Sequence, residues 1–154
     1  MKDAPDTPVE LHARALRLLA RREHSRAELA RKLAPRAQSP EALNTLLDAL
    51  EQKKQLSNER YAELRTHQLS RKYGAARIRQ DLKAKGIDAS LVGRVSSAGE
   101  LERARAILAR KYRVPATTPK ERARRMRFLQ SRGFASETIR RALSSDAGDD
   151  ALIP

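Results

Sequence analysis

The sequence predicts an all-α protein made of three tandem three-helix repeats that form an elongated, curved array. Two separate stretches share one pattern, in which a glycine lies four positions after a leucine, an apolar residue comes next, and a branched aliphatic residue lies six positions after the glycine. This pattern is typical of a helix that ends at a left-handed glycine and is followed by a new helix. Its recurrence indicates a repeat architecture. The residues are Leu82, Gly86, Ile87 and Val92 in one stretch and Leu129, Gly133, Phe134 and Ile139 in the other.

A third copy of the pattern, without the glycine, aligns with Leu29, Leu33 and Leu43–Leu47, where Pro35 and Pro40 form the turn. A second observation supports the helical class. The sequence has no sustained alternation of apolar and polar residues, which a half-buried strand requires. We therefore predict nine short helices.

The first repeat is predicted to cover residues 9–56. Its first helix, over residues 9–22, has apolar residues spaced as on one helical face, at Leu11, Ala15, Leu18 and Leu19. Ser25 and Glu28 form a capping-box pattern that begins the second helix. Ser39 followed by Pro40 predicts the start of the third helix.

The second repeat is predicted over residues 57–99. Its first helix begins near Asn58, places Tyr61, Leu64, Leu69 and Tyr73 on one face, and ends at Gly74 as a capping residue. Ile78 and Leu82 face inward on the middle helix. Asp88 is positioned to cap a last helix with Leu91, Val92 and Val95.

The third repeat is predicted over residues 100–145, where Leu101, Ala104, Ile107 and Leu108 share a helical face. Thr118, Pro119 and Glu121 mark the next helix start, and Met126 and Leu129 are expected inside. Ser136 is expected to cap the ninth helix. Residues 1–8 and the acidic residues 146–154 are predicted to be disordered.

The composition indicates a protein for a reducing compartment and an anionic partner. The 154 residues include no cysteine and carry a net charge of +14, while both ends of the chain are acidic. The absence of cysteine, of a signal peptide and of a long apolar run predicts a cytoplasmic protein. The basic charge between the two ends favours a polyanion or an acidic protein surface as partner.

No constellation of residues predicts catalysis. His12, His24 and His67 are isolated from one another, and each is expected at the surface or at the boundary of the core. No glycine-rich phosphate-binding loop is present. We predict that the chain is not an enzyme and needs no cofactor or metal.

Two groups of basic residues are the candidate binding surface. They lie on exposed flanks of the helices in the second and third repeats, where contacts to phosphates or to acidic side chains are both open. The candidates are Arg71, Lys72, Arg77, Arg79, Lys83 and Lys85, with Lys120, Arg124, Arg127 and Arg132, while Gly74, Gly86 and Gly133 are predicted structural caps. Aromatic residues are too few to predict base stacking or base-edge recognition.

Several segments together resemble one family. They are ALRLLARREHSRAELARKL at 15–33, LSNERYA at 56–62, YGAARIRQDL at 73–82 with KGI at 85–87, and RFL and RGF at 127–129 and 132–134. These segments resemble the bacterial RecX regulatory proteins. The resemblance implies three tandem three-helix repeats and no catalytic residue or cofactor. It also implies binding in the groove of the RecA recombinase filament on DNA, with inhibition of its ATPase, strand-exchange and co-protease activities and so of recombination and the SOS response.

Two alternatives stay open from the residues alone. A sequence-independent DNA-binding protein would use the same basic helical surface without any recombinase partner. The oligomeric state is either a monomer or a homodimer that exchanges repeats through hinge loops such as residues 35–39.

Overall fold

The computed structural model describes residues 4–146, with the side chains of residues 4–144. In that part of the chain all regular structure is helical, as predicted. The helices are α1 (Pro8–Arg21), α2 (Arg26–Leu33), a 3₁₀ turn (Ala34–Arg36), α3 (Pro40–Gln52), α4 (Asn58–Leu69), α5 (Ala75–Ala84), α6 (Ala89–Val92), α7 (Glu100–Lys111), α8 (Pro119–Ser131) and α9 (Ser136–Asp146).

The chain divides into two compact units. Unit 1 comprises Met1–Arg65 and Leu82–Val92, and unit 2 comprises Thr66–Asp81 and Gly93–Pro154. The middle three helices are therefore divided between the two units. The proposed limits of the three repeats remain a prediction.

Each unit has an aliphatic core. In unit 1, leucines of α1, α2 and α3 bury one another, and Leu29, Leu33 and Leu50 are fully inaccessible to solvent. In unit 2, α9 packs against both α7 and α8. Its core consists of Ala104, Ile107, Leu108, Leu129, Phe134, Ile139 and Ala142.

The repeated glycine pattern forms the predicted left-handed caps. Gly86 has a φ of 79° and Gly133 a φ of 84°. The amide of the residue after each glycine donates to the carbonyl of the leucine five positions earlier, at 3.0 Å for Ile87 to Leu82 and 3.2 Å for Phe134 to Leu129. This is the hydrogen bond of a Schellman cap.

The third copy of this cap is not where the sequence predicted it. α2 ends in a 3₁₀ turn, whereas α3 ends at Gln52 and is followed by Lys54, which has a φ of 61°. The Gln55 amide donates to Leu50 O at 2.9 Å, which repeats the bond of the other two caps. The sequence pattern missed this copy because a lysine occupies the left-handed position.

Gly74 does not cap the end of α4, which stops at Leu69. It precedes α5, and its carbonyl accepts from the Ile78 amide at 3.2 Å. A Cβ at this position would lie 2.5 Å from the Gly133 carbonyl oxygen. Glycine is needed here for close approach of two backbone segments and not for a left-handed turn.

The N-terminal prediction is wrong for residues 4–8. Asp6 is only 2% exposed and accepts hydrogen bonds from Arg14 and Arg36. Thr7 caps α1 in a capping box with Glu10. Residues 1–3 and 147–154, which include most of the predicted disordered tail, lie outside the described residues.

Four smaller predictions are also corrected. Leu64 and Met126 are 42% and 41% exposed, and on α8 Arg125 is buried in place of Met126. His24 is 1% exposed, so it is a core residue and not a surface one. Ser136 is the first residue of α9, and the preceding residue, Ala135, accepts the first helical hydrogen bond.

Candidate anion-binding groove

A groove of about 620 Å³ in unit 2 brings together three segments of the chain. They are the turn after α4, the last turn of α7 and the end of α8. Five of the eight lining residues are cationic, and none is acidic. The lining consists of Arg71, Lys72, Tyr73, Ile107, Arg110, Lys111, Phe128 and Arg132, which we call the basic groove.

Local structure explains why α7 ends in cations. Arg110 and Lys111 occupy its last turn, where the partial negative charge of the helix C-terminus stabilises basic side chains. The Arg110 guanidinium also donates to Arg71 O at 2.7 Å, which fixes the α7 end next to the turn after α4.

A buried carboxylate positions the Tyr73 side of the groove. Glu100 on α7 is 4% exposed and accepts from the Ala75 amide at 3.0 Å, at the start of α5. Its other oxygen accepts from the Thr138 hydroxyl at 3.3 Å. The Gly74 amide donates to Arg132 O at 2.7 Å, so the backbone beside Tyr73 is joined to the end of α8.

Aromatic rings hold several cations of the groove. Lys111 Nζ lies 4.1 Å from the centre of the Phe128 ring. The Arg132 guanidinium lies 5.0 Å from the same ring and 5.4 Å from that of Tyr73. Arg77 approaches Tyr73 from outside the lining, at 5.0 Å. A ring attracts a cation but has no net charge of its own, so the cation keeps its charge. A carboxylate would cancel it.

In unit 1, by contrast, several arginines form ion pairs with carboxylates. Arg14 and Arg36 form ion pairs with Asp6 at 2.7 and 2.8 Å, and Arg22 pairs with Glu28 at 2.6 Å. Hydrogen bonds from these arginines lower the pKa of Asp6 and of Glu28, each to about 2. Among the described residues, the five cations of the basic groove have no such carboxylate partner. The basic groove therefore keeps its positive charge.

The predicted site residues are only partly brought together. Arg71, Lys72 and Arg132 line the basic groove, and Arg77 adjoins it through Tyr73. Arg79 instead donates to Val95 O at 2.7 Å. The remaining predicted residues do not line the groove: Lys120, Arg124 and Arg127 are exposed on or near the outer face of α8, and Lys83 and Lys85 belong to unit 1.

Sequence reasoning missed Arg110, Lys111, Tyr73 and Phe128 as site residues. An arginine and a lysine in the last turn of α7 were visible in the sequence. The contact of Lys111 with the Phe128 ring depends on how α7 and α8 pack, and that of Arg110 with Arg71 O depends on the position of the turn after α4.

The part of the chain that the structure describes has no candidate metal centre beside the groove. No group of three or more His, Cys, Asp or Glu side chains there is placed to hold a metal ion. Burial lowers the pKa of His24, whose ring contacts Arg22 O at 3.0 Å and Lys32 Nζ at 2.9 Å. This histidine is a neutral core residue.

Within residues 4–146, none of the helices combines the length and hydrophobicity that crossing a bilayer requires.

Comparison with known proteins gives one consistent family. The models of the first, second and third three-helix domains of RecX match residues 12–50, 57–95 and 98–143. The regulatory protein RecX of Herbaspirillum seropedicae is 44% identical over 144 residues, which cover 92% of this chain and 94% of that protein. That of Leptothrix cholodnii is 45% identical over 138 residues, which cover 88% of each chain.

A solved structure agrees with the fold. RecX from Lactobacillus salivarius superposes with a TM-score of 0.79 at 18% identity, covering 95% of this chain and 97% of that one. The predicted order of three tandem three-helix domains is confirmed by the three matches. The chain belongs to the RecX family of regulatory proteins.

Proposed function

We propose that this chain binds the RecA recombinase filament and inhibits its ATPase, strand-exchange and co-protease activities, and so modulates recombination and the SOS response. The observation that carries the proposal is the match of all three RecX domain models, in order, along one chain. In this proposal the protein acts in the cytoplasm by binding alone, without catalysis or a cofactor, as a monomer or as a repeat-exchanged homodimer.

The basic groove supports this proposal through its charge. The DNA in a recombinase filament has a phosphate backbone that attracts unneutralised cations, and any acidic protein surface on the filament would attract them as well. Arg71, Lys72 and Arg132 supply such cations at the groove, while Arg124 and Arg127 extend the basic surface along α8. Carboxylates neutralise Arg14, Arg22 and Arg36 of unit 1, whereas the clustered cations of the basic groove have no carboxylate partner among the described residues, so we expect the basic groove to be the contact face.

Sequence-independent DNA binding is the competing function, and the +14 net charge favours it as well. Titrating the chain into the cognate recombinase hydrolysing ATP on single-stranded DNA separates the two. A filament modulator inhibits at ratios well below DNA saturation, and added free DNA does not reverse the inhibition. Inhibition that disappears when free DNA is added would mean simple competition for DNA and would refute the proposal.

A further inference from the structure

We propose that the basic groove is also a small-ligand site, which binds a nucleotide with several adjacent phosphates, of the nucleoside triphosphate class. Such a ligand would occupy the same cations as the filament, so free nucleotide would compete with the proposed partner. The competition rests on the proposed function, whereas the binding itself does not.

The size of the basic groove fits this ligand class. Its volume of about 620 Å³ lies inside the range of roughly 300–1,000 Å³ that is typical of small-molecule sites. A single phosphate or carboxylate would fill only a small part of this space. A nucleotide fills more of it and brings several charges at once.

The charge of the basic groove favours a multivalent anion. Five cations from three segments face one cavity, and the side chains of Arg71 and Lys72 have no hydrogen-bond, ion-pair or ring partner among the described residues. Like charges held close together repel one another, and a chain of phosphates relieves that repulsion at several points. Arg110 and Lys111 are already held by a carbonyl and a ring, so little ordering is needed when a phosphate binds.

The remaining lining offers apolar surface for a base or a sugar. Ile107 is 6% exposed and Phe128 is half-buried, and both border the same cavity as the cations. Tyr112 packs edge-on against Phe128, with ring centres 6.1 Å apart and an interplanar angle of 83°, so the Phe128 ring is fixed. Nucleotide sites combine these two features, cations for phosphates and a rigid apolar wall for the base.

Isothermal titration calorimetry on the full chain alone tests this inference, with ATP, AMP, inorganic tripolyphosphate and a single-stranded oligonucleotide as ligands. We expect ATP to bind with one site per chain. We expect AMP to bind more weakly because it has fewer phosphates, and tripolyphosphate because it has no base. An oligonucleotide that binds while ATP does not would overturn the inference, since the groove would then serve only polynucleotides.

Two variants localise the site. Lys111→Gln and Arg71→Gln each remove one charge from the groove, and we expect each to weaken ATP binding by about fivefold to tenfold. The matched control is Arg122→Gln, because Arg122 is exposed on α8 of the same unit but does not line the groove. Equal weakening in all three variants would refute the site.

The wild-type chain provides a measurement that is independent of variant folding. Tripolyphosphate should displace ATP competitively from it, and ATP binding that tripolyphosphate leaves unchanged would contradict the proposal. The recombinase is absent from these titrations, so a chain that does not bind ATP would leave the filament proposal intact. Equally, a chain that does not inhibit the filament could still bind nucleotide.

Discussion

Substitutions at Gly133 test whether the left-handed cap after α8 also packs closely against the start of α5. Gly133 and Gly99 both have left-handed φ angles, of 84° and 72°. A Cβ on Gly133 would lie 2.4 Å from the Arg77 Cβ and 2.6 Å from its backbone nitrogen, whereas a Cβ on Gly99 would meet nothing within 4 Å. The pair Gly133→Ala and Gly99→Ala therefore separates backbone strain from steric conflict.

The expected magnitudes follow from these distances. Gly99→Ala should lower the free energy of unfolding by about 1 kcal/mol, the cost of a left-handed residue with a Cβ. Gly133→Ala carries the same cost and must also displace the start of α5. Overpacking of this kind adds about 2 kcal/mol. The total for Gly133→Ala is then about 3 kcal/mol.

Urea denaturation followed by far-ultraviolet circular dichroism measures both variants against the wild type at pH 7. An unchanged denaturant slope is required, so that the midpoints report stability. Equal destabilisation of the two variants would mean that α5 yields freely, and would refute the reasoning about close packing at Gly133.

Four further predictions concern particular residues. Gly86→Val should cost about 1 kcal/mol or more. Gly86→Ala should also lower the free energy of unfolding, because a Cβ on Gly86 would lie 2.6 Å from that of Ala27. Adding Ala27→Gly should recover part of that loss, and a double variant no more stable than Gly86→Ala would contradict the contact. Glu28 has its pKa lowered to about 2 by Arg22, so its stabilisation is present above about pH 4.5 and is lost as the pH falls toward 2. The urea midpoint of the wild type should fall over this pH range, and that of Glu28→Gln should fall less. If the two midpoints fall equally with pH, Glu28 does not make this contribution. Glu100→Ala should lower the free energy of unfolding by about 2 kcal/mol, because it leaves the Ala75 amide unpaired. Thr138→Val removes only the longer hydrogen bond to Glu100 and should lower it less. Differential scanning calorimetry of both variants shows whether their melting temperatures follow this order.

Local signals in the sequence predicted the helices and two of the three caps. Leu82 with Gly86, Ser39 with Pro40, and Thr118 with Glu121 each fix a helix end through contacts within a few residues, which a pattern in the sequence can identify. Lys54 adopts the same left-handed geometry with an ordinary side chain, so no glycine marks it.

Features that depend on distant residues could not be predicted in this way. Asp6 is ordered because Arg36, thirty positions away, reaches its carboxylate. Arg125 is buried where a periodic pattern places Met126, because its guanidinium donates to Val114 O at 2.7 Å and lies 4.4 Å from the Tyr112 ring centre.

The candidate site shows the same limit. The sequence identified an excess of basic residues and three of the five groove cations, Arg71, Lys72 and Arg132. Arg110 and Lys111 join them only because α7 packs beside α8 and the turn after α4. Which arginines keep their charge was also not predictable, since it depends on the carboxylates that folding brings to Arg14, Arg22 and Arg36.

The most direct test of the central claim is the affinity of the chain for preassembled recombinase filaments, measured by fluorescence anisotropy of an end-labelled protein. The groove variant Arg110→Gln/Lys111→Gln is compared with Arg17→Gln/Arg31→Gln, which removes two exposed charges from unit 1. If the basic groove contacts the filament, the groove variant loses roughly tenfold or more in affinity, while the control stays close to the wild type. Equal losses in the two variants would mean that overall charge, and not the basic groove, governs binding.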